Sequence, residues 1–352
     1  MTASTSSPAE DVPIPYRFTS PELYCPFPAA INPHTESVYQ GTLEWGDEHG
    51  LLGKGETREQ QAKEQHAWLV GRVFPHASRE RFQLLSDWTS WLFWHDDVCD
   101  ETSLGQSPEG LCRQFDQLFG ILNGTTPVRP GNAFDLALVE MTDRFKALAP
   151  DDAWIHRFMI NVQEYFQACI WEARNRGSHE TPSLDEFIPM RRYAGGTWIY
   201  LDFLEFANVQ TLPLEVREHA HVRHLMQITC DIACWHNDIF SWPKEMRRND
   251  VHNLIPVLEA ELGLTMGMAM RMAVKYCNSE VKEFISLSET LPVFAPPLDE
   301  HLRAYIDGLR MIMRGNLDWA TESSRYKKQT TRSYEARKLP EAVTAQANNL
   351  TI

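Results

Sequence analysis

Apolar residues recur at helical spacing through three long stretches of the chain. Ile155, Phe158, Met159, Val162, Phe166, Cys169, Ile170 and Ala173 follow the i, i+3, i+4, i+7 pattern of a helix with one buried face. Val222, Leu225, Met226, Thr229, Ile232 and Ala233 repeat it, as do Leu302, Tyr305, Ile306, Leu309, Ile312 and Met313. No segment of comparable length alternates with the period of two that a half-buried strand requires. Turn-rich stretches at 124–131 (GTTPVRPG), 178–183 (SHETPS) and 291–297 (LPVFAPP) separate the helical runs. The pattern predicts an all-α bundle of roughly ten or more helices, with the interior between facing helices available to a ligand. Residues 1–13 read as a disordered tail and 327–352 as a mobile, basic-polar one, and nothing in 14–326 reads as a flexible linker.

Composition narrows the function classes. The chain has 352 residues, 43% hydrophobic and 23% charged, with 33 Lys and Arg against 48 Asp and Glu, a net charge of −15. So acidic a chain lacks the basic footprint needed for nucleic acid or an anionic membrane surface. An anionic small substrate stays compatible if metal ions bridge it to the carboxylates. Seven cysteines without a CxxC pair point to reduced thiols. Neither a signal peptide nor an apolar run of about 18 residues is visible. The expectation is a cytoplasmic protein without stable membrane insertion.

Four segments carry chemistry. In WLFWHDDVCDE, 91–101, four bulky apolar residues run into four carboxylates. On a helix beginning near Ser78, Leu85, Thr89 and Leu92 stack beneath Asp96, with Asp100 one turn further and about 6 Å away. Asp97 and Glu101 form a second such pair. Carboxylates gathered at a helix C-terminus repel one another and face the negative end of the macrodipole, a conflict that divalent cations relieve. A solvated acidic helix end is the alternative, and Trp91, Phe93 and Trp94 beside it count against that. In NDIFSWPKE, 237–245, Asn237, Ser241 and Glu245 fall at i, i+4 and i+8, three hard oxygen ligands on one helix face suited to Mg²⁺. The bland reading is a cap-like cluster near Pro243, which is expected to kink or unwind the helix between Ser241 and Glu245. His95 and His236 read as polar packing rather than zinc ligands. MRRYAGG supplies Arg191 and Arg192 before a Gly-Gly break, and Arg325-Tyr326 close the last long helix; arginine forks suit phosphate oxygens.

Together, DDVCD, the RR–GG break, Asn237 at 46 residues after Arg191, and RY at 80 residues after Glu245 resemble the class I terpene synthases of bacterial and fungal type. CPFPAAINPH at 25–34 is similar to the amino-terminal signature of the bacterial members. The likeness spans 14–326 and implies a single-domain class I terpenoid-synthase bundle with a central cavity and a diphosphate site holding three Mg²⁺ ions. On this resemblance Asp96 is a metal ligand supported by Asp97 and Asp100, and Asn237, Ser241 and Glu245 hold the third Mg²⁺. Arg191 is the diphosphate-sensing arginine, followed by Ala194 at the linker position, where a polar side chain is common, and Gly195 at the helix-break carbonyl. Lys244, Arg248, Arg325 and Tyr326 match diphosphate hydrogen-bond donors.

The implied reaction is Mg²⁺-dependent ionisation of a linear prenyl diphosphate, farnesyl diphosphate first, then cyclisation of the carbocation to a sesquiterpene with release of diphosphate. Water would quench the cation, so a dry pocket with aromatic faces is required. Phe93 and Trp319 are the candidates, while Trp88, Tyr200 and Phe203 read first as core. The Arg325–Tyr326 pair reads as closing the mouth on binding. The alternatives are a diterpene synthase using geranylgeranyl diphosphate and, more distantly, a non-catalytic isoprenoid-binding helical protein. A head-to-tail prenyl-diphosphate synthase would carry a second aspartate-rich motif, but Asp151-Asp152 is followed by Ile155 where the third Asp would fall. A protonation-initiated cyclase would carry DxDD, which is absent. A homodimer is carried as the working expectation for assembly.

Overall fold

The computed structural model describes residues 23–101, 107–178, 180–246 and 250–327, apart from the side chains of Glu56, Asp100, Glu101 and Lys327. The two expected tails, Arg248, and the side chains of Asp100 and Glu101 therefore lie outside the described residues. Among those described, fifteen α-helices and no strand are found. The first seven are α1 (Thr35–Glu48), α2 (Glu56–Glu64), α3 (His66–Val73), α4 (Arg79–Glu101), α5 (Pro108–Leu122), α6 (Ala133–Leu148) and α7 (Asp152–Ser178). Then follow α8 (Leu184–Ala194), α9 (Thr197–Asn208), α10 (Leu214–Arg217), α11 (Ala220–Glu245), α12 (Leu254–Leu262), α13 (Met266–Ser288), α14 (Leu298–Glu322) and α15 (Ser324–Lys327). The three long apolar periodicities become α7, α11 and α14, and the three turn-rich stretches fall in connections.

Six helices close a ring by successive contacts: α3 on α4, α4 on α9, α9 on α8, α8 on α11, α11 on α14, and α14 back on α3. The last contact is unusually close. A Cβ at Gly315 of α14 would stand 2.7 Å from the Arg72 carbonyl carbon and 2.9 Å from the Val73 nitrogen, so only glycine fits. Behind α4 and α9 lies an aromatic core in which Trp88, Phe145, Trp154, Phe158, Phe203 and Phe206 stack edge-to-face and face-to-face. α9 is further tied down by Asp202 and Glu205, both buried and both paired with Arg157 and Arg217. With that face of α9 anchored, the opposite face and the loop before it meet the ring's interior.

Two local expectations need correction. The helix α11 runs through Pro243 to Glu245 without interruption. A proline in the last turn forfeits a single backbone hydrogen bond, and its ring is buried here rather than forced out. Arg325 and Tyr326 do not close the last long helix. Ser323, at φ −63° and ψ 142°, ends α14, and the pair sits on the separate short helix α15.

Candidate active site

The ring encloses a cavity with about 860 Å³ of space, its open end included. Its walls are mostly apolar: Leu69 and Val73 from α3, Leu92 and Phe93 from α4, Ala233 from α11, and Ile312 and Trp319 from α14. Asp96, Arg191 and Asn237 supply a polar end. Thus α4, α8 and α11, far apart in sequence, bring three of the expected site residues to one place. Tyr200 also lines the cavity, its hydroxyl 2.9 Å from Thr89 Oγ1, whereas Trp88 and Phe203 belong to the core behind it, as read from sequence.

The break between α8 and α9 forms part of the wall. Ser183 and Glu186 close a capping box that starts α8, and the helix ends at Ala194 because Gly195 and Gly196 follow. Gly196 has φ 65°, a left-handed conformation that favours glycine. Gly195 is required for another reason: a Cβ there would lie 2.6 Å from Cys234 Sγ on α11. The thiol donates to the Arg191 carbonyl at 3.3 Å, and Thr197 Oγ1 donates to the Arg192 carbonyl at 2.8 Å. Ala194 lines the cavity with no polar atom in its side chain, so Cys234 and Thr197 are what tie the break to its surroundings.

Arg191 is held by α11. Its Nε donates to Asp238 Oδ1 at 2.9 Å and Nη2 to Asp238 Oδ1 at 2.7 Å and Asn237 Oδ1 at 3.0 Å. Asn237 Nδ2 in turn donates to the Tyr326 hydroxyl at 2.8 Å. Arg192 points elsewhere, to Asp231 at 2.7 Å. Asp97 is turned from the cavity toward a cationic pair: Arg325 Nη2 at 3.0 Å and Lys244 Nζ at 3.4 Å. Burial would raise its carboxyl, but the Arg325 charge and hydrogen bonds prevail and lower it. The Arg325 guanidinium also lies over the Phe93 ring, 4.9 Å from its centre. Phe93 stacks on His66 at 4.5 Å and meets Trp319 at 5.8 Å.

Whether the remaining α11 groups suit a cation can be tested on their surroundings. Ser241 Oγ is buried and forms no hydrogen bond of ordinary geometry among the described residues, though it sits close enough to Glu245 to lower that carboxyl's pKa. Burial first, then the charges of Asp238 and Asp250, push the Glu245 carboxyl up to about 8. A buried hydroxyl without a partner beside a carboxylate short of positive charge is a donor set that a divalent cation satisfies. Asn253 Nδ2, from the start of α12, orients Glu245 Oε2 at 2.8 Å. Among the described residues no group of three or more His, Cys, Asp and Glu converges as a metal cage; the fitting donors are an amide, a hydroxyl and a carboxylate. His95 and His236 are buried and lowered to about 4 by burial, as neutral packing residues.

Sequence reasoning missed Glu64, which lies in a polar stretch without periodicity and contacts Arg325, and His66, which opens the apolar helix α3 and contacts Phe93. It also missed Asn316, on the cavity face of α14. That residue left a signal: it continues the stripe of Leu309, Ile312 and Met313 but is polar.

The chain was compared with known proteins. The family model described as terpene synthase family 2, C-terminal metal binding, matches residues 87–283. The (+)-T-muurolol synthase ((2E,6E)-farnesyl diphosphate cyclizing) of Roseiflexus castenholzii is 34% identical over 304 residues, 86% of this chain and 93% of that one. Germacrene A synthase of Nostoc punctiforme is 35% identical over 306 residues, 87% of this chain and 94% of its own length. In fold, the structure of germacradien-4-ol synthase from Streptomyces citricolor agrees with a TM-score of 0.76 at 24% identity, over 86% of this chain and 99% of that chain. No described helix is long and apolar enough to cross a membrane. With a family model over more than half of its length and relatives a third identical over most of it, the chain belongs to terpene synthase family 2 and is a class I terpene synthase, a metal-dependent enzyme.

Proposed function

We propose that this enzyme ionises farnesyl diphosphate with three Mg²⁺ ions and cyclises the resulting cation to a sesquiterpene skeleton, releasing diphosphate. The observation that carries this reading is that Asp96, Asn237 and Arg191 share the polar end of a cavity whose other walls are mostly apolar and aromatic. The farnesyl length is supported by the name of the Roseiflexus castenholzii relative.

Asp96, supported by Asp97 and Asp100, would hold metal from α4, and Asn237, Ser241 and Glu245 would hold it from α11. The bound ions supply Lewis-acid neutralisation of the leaving diphosphate. Arg191, Lys244, Arg325 and Tyr326, with Arg248, donate to the diphosphate oxygens; Arg325 and Lys244 start from Asp97, and Arg191 starts from Asp238 and Asn237. Diphosphate arrival exchanges those partners, and the Arg191 backbone, bonded to Cys234 beside Gly195, passes the change to the helix break. Phe93 and Trp319 present π-faces that stabilise a cation without capturing it, and Leu69, Val73, Leu92 and Ile312 exclude bulk water.

The test is incubation of the full chain with farnesyl diphosphate and MgCl₂, with and without chelator, following diphosphate release and volatile products. Geranylgeranyl diphosphate is run in parallel. Metal-dependent release with cyclic fifteen-carbon products is expected. Preference for the longer substrate would overturn the farnesyl assignment, and no release from either would overturn the proposal.

A further inference from the structure

Asn316 is a polar side chain of the cavity wall that the proposed mechanism leaves without a task. It sits on α14 one turn from Ile312 and just before Trp319, both wall residues. Its Nδ2 donates to the Ala233 carbonyl at 3.1 Å. A backbone carbonyl only accepts, so this bond fixes which end of the amide faces α11. Oδ1 is left with no hydrogen-bond partner among the described residues, and it is not sealed in the protein. Of the other polar side chains in the wall, Tyr200 is bonded to Thr89, Thr197 to the Arg192 carbonyl, and Tyr165 lies against the Cys169 thiol. A carboxamide oxygen lining an apolar cavity is satisfied by water.

We propose that Asn316 seats a single water at the cavity wall and that this water captures the cyclised cation, making the enzyme's principal product a terpene alcohol. The inference rests on the proposed ionisation chemistry and extends it. Ala233, from which Asn316 hangs, lies one helical turn, about 6 Å along the axis, from Asn237 at the polar end of the cavity. A water donating one hydrogen to Asn316 Oδ1 has its other hydrogen free for an oxygen of the departed diphosphate. Both hydrogens are then engaged and a lone pair faces the cation. The water oxygen forms the new C–O bond with the cationic carbon, the oxonium passes its extra proton to the diphosphate, and nothing is oxidised or reduced. Hydrocarbon products arise instead when a proton is lost from carbon. A single seated water reconciles capture with a pocket that excludes bulk solvent, since the number and position of nucleophiles are set by the wall.

The test uses the full-length enzyme, MgCl₂ and farnesyl diphosphate in ¹⁸O-labelled water, with diphosphate release and products measured on the same sample. A major alcohol carrying the heavy oxygen is expected. Diphosphate release accompanied by hydrocarbons alone overturns this inference and leaves the proposed ionisation standing. Absence of diphosphate release overturns both. In Asn316→Leu the ratio of alcohol to hydrocarbon should fall about tenfold, the size of one lost hydrogen bond to a seated water. An unchanged ratio overturns the role of Asn316, assigning it only the brace to Ala233. If circular dichroism shows that Asn316→Leu is unfolded, Asn316→Ala is read by the same ratio with the same two outcomes.

Discussion

Arg325 Nη1 and Glu64 Oε2 stand 2.9 Å apart, joining the short last helix to the corner between α2 and α3. Both side chains are buried, and the Glu64 carbonyl also accepts from Trp319 Nε1 at 3.1 Å and Ser323 Oγ at 3.2 Å. The corner itself turns at Gln65, whose φ of 55° is uncommon for a residue other than glycine. Glu64 therefore holds, at once, the end of α14, the start of α15 and the guanidinium proposed to meet diphosphate. Removing Glu64 takes one of two carboxylates from a buried guanidinium and leaves it paired with Asp97, so Glu64→Ala is expected to lose about 1–3 kcal/mol. Urea denaturation at unchanged m-value measures it, and a loss below about 1 kcal/mol would show that the pair contributes little.

The same carboxylate predicts a pH dependence. Burial alone would raise Glu64, but the His66 contact and the Arg325 and Lys244 charges outweigh it and bring the group down from 4.5 to about 2. A folded-state pKa below the unfolded one gives stability that is complete above about pH 4.5 and lost as pH falls toward about 2. The stability difference between wild type and Glu64→Gln should accordingly shrink across that window and stay level above it. A difference independent of pH would contradict the assignment.

Gly195 offers a clean test of contact without backbone strain, because its φ of −74° suits any residue. Gly195→Ala drives a methyl to 2.6 Å from Cys234 Sγ and should cost about 1–3 kcal/mol. Cys234→Ala in the same chain removes the obstructing sulfur, so the double variant should recover part of that cost. Strict additivity would place the conflict elsewhere, at the Arg191 carbonyl, which the added methyl meets at 3.1 Å.

Asp96→Asn and Asn237→Ala each weaken a proposed metal site and should lower diphosphate release by about a hundredfold or more. Asn237→Ala also frees Arg191 and Tyr326 from their shared partner. Release near the wild-type rate in either variant would remove that residue from the site.

Phe93→Ala removes the ring that lies between His66 and Arg325 at the cavity wall. Less cyclised or more hydroxylated products are expected, read by gas chromatography–mass spectrometry. An unchanged profile would return Phe93 to a packing role.

Mg²⁺ with inorganic diphosphate should raise the melting temperature, since a ligand at a hundred times its Kd contributes about 2.7 kcal/mol to the folded state. Chelator should erase the shift, and a shift indifferent to chelator would point to diphosphate binding without metal.

Much of this was legible in the sequence, and the exceptions have physical causes. Periodicity gave α7 and α14 because each buries one stripe, and α11 because its first turns do so before the helix is enclosed on all sides from Ile228 onward. It could not separate Tyr200 from Phe203, since α9 is apolar on both sides: one side meets the aromatic core and the other the cavity. Nor could it show the break at Ser323, which is held by the Glu64 carbonyl 259 positions away. Glu64 itself sits among Gln, Lys and Glu in a helix without an apolar stripe, so its burial is decided wholly by a partner distant in the chain. Pro243 misled in the opposite direction, because a local rule was overridden by tight packing around its ring.

The contact at Gly315 bears on how such a cavity can be redesigned. Backbone already touches backbone between α3 and α14, with no Cβ to trim and no gap to close. The close approach of these two walls leaves no backbone to trim, and the contour of the chamber between them is changed through side chains such as Leu69, Val73 and Ile312. Engineering of product range along these two walls thus becomes a problem of exchangeable side chains on a rigid frame.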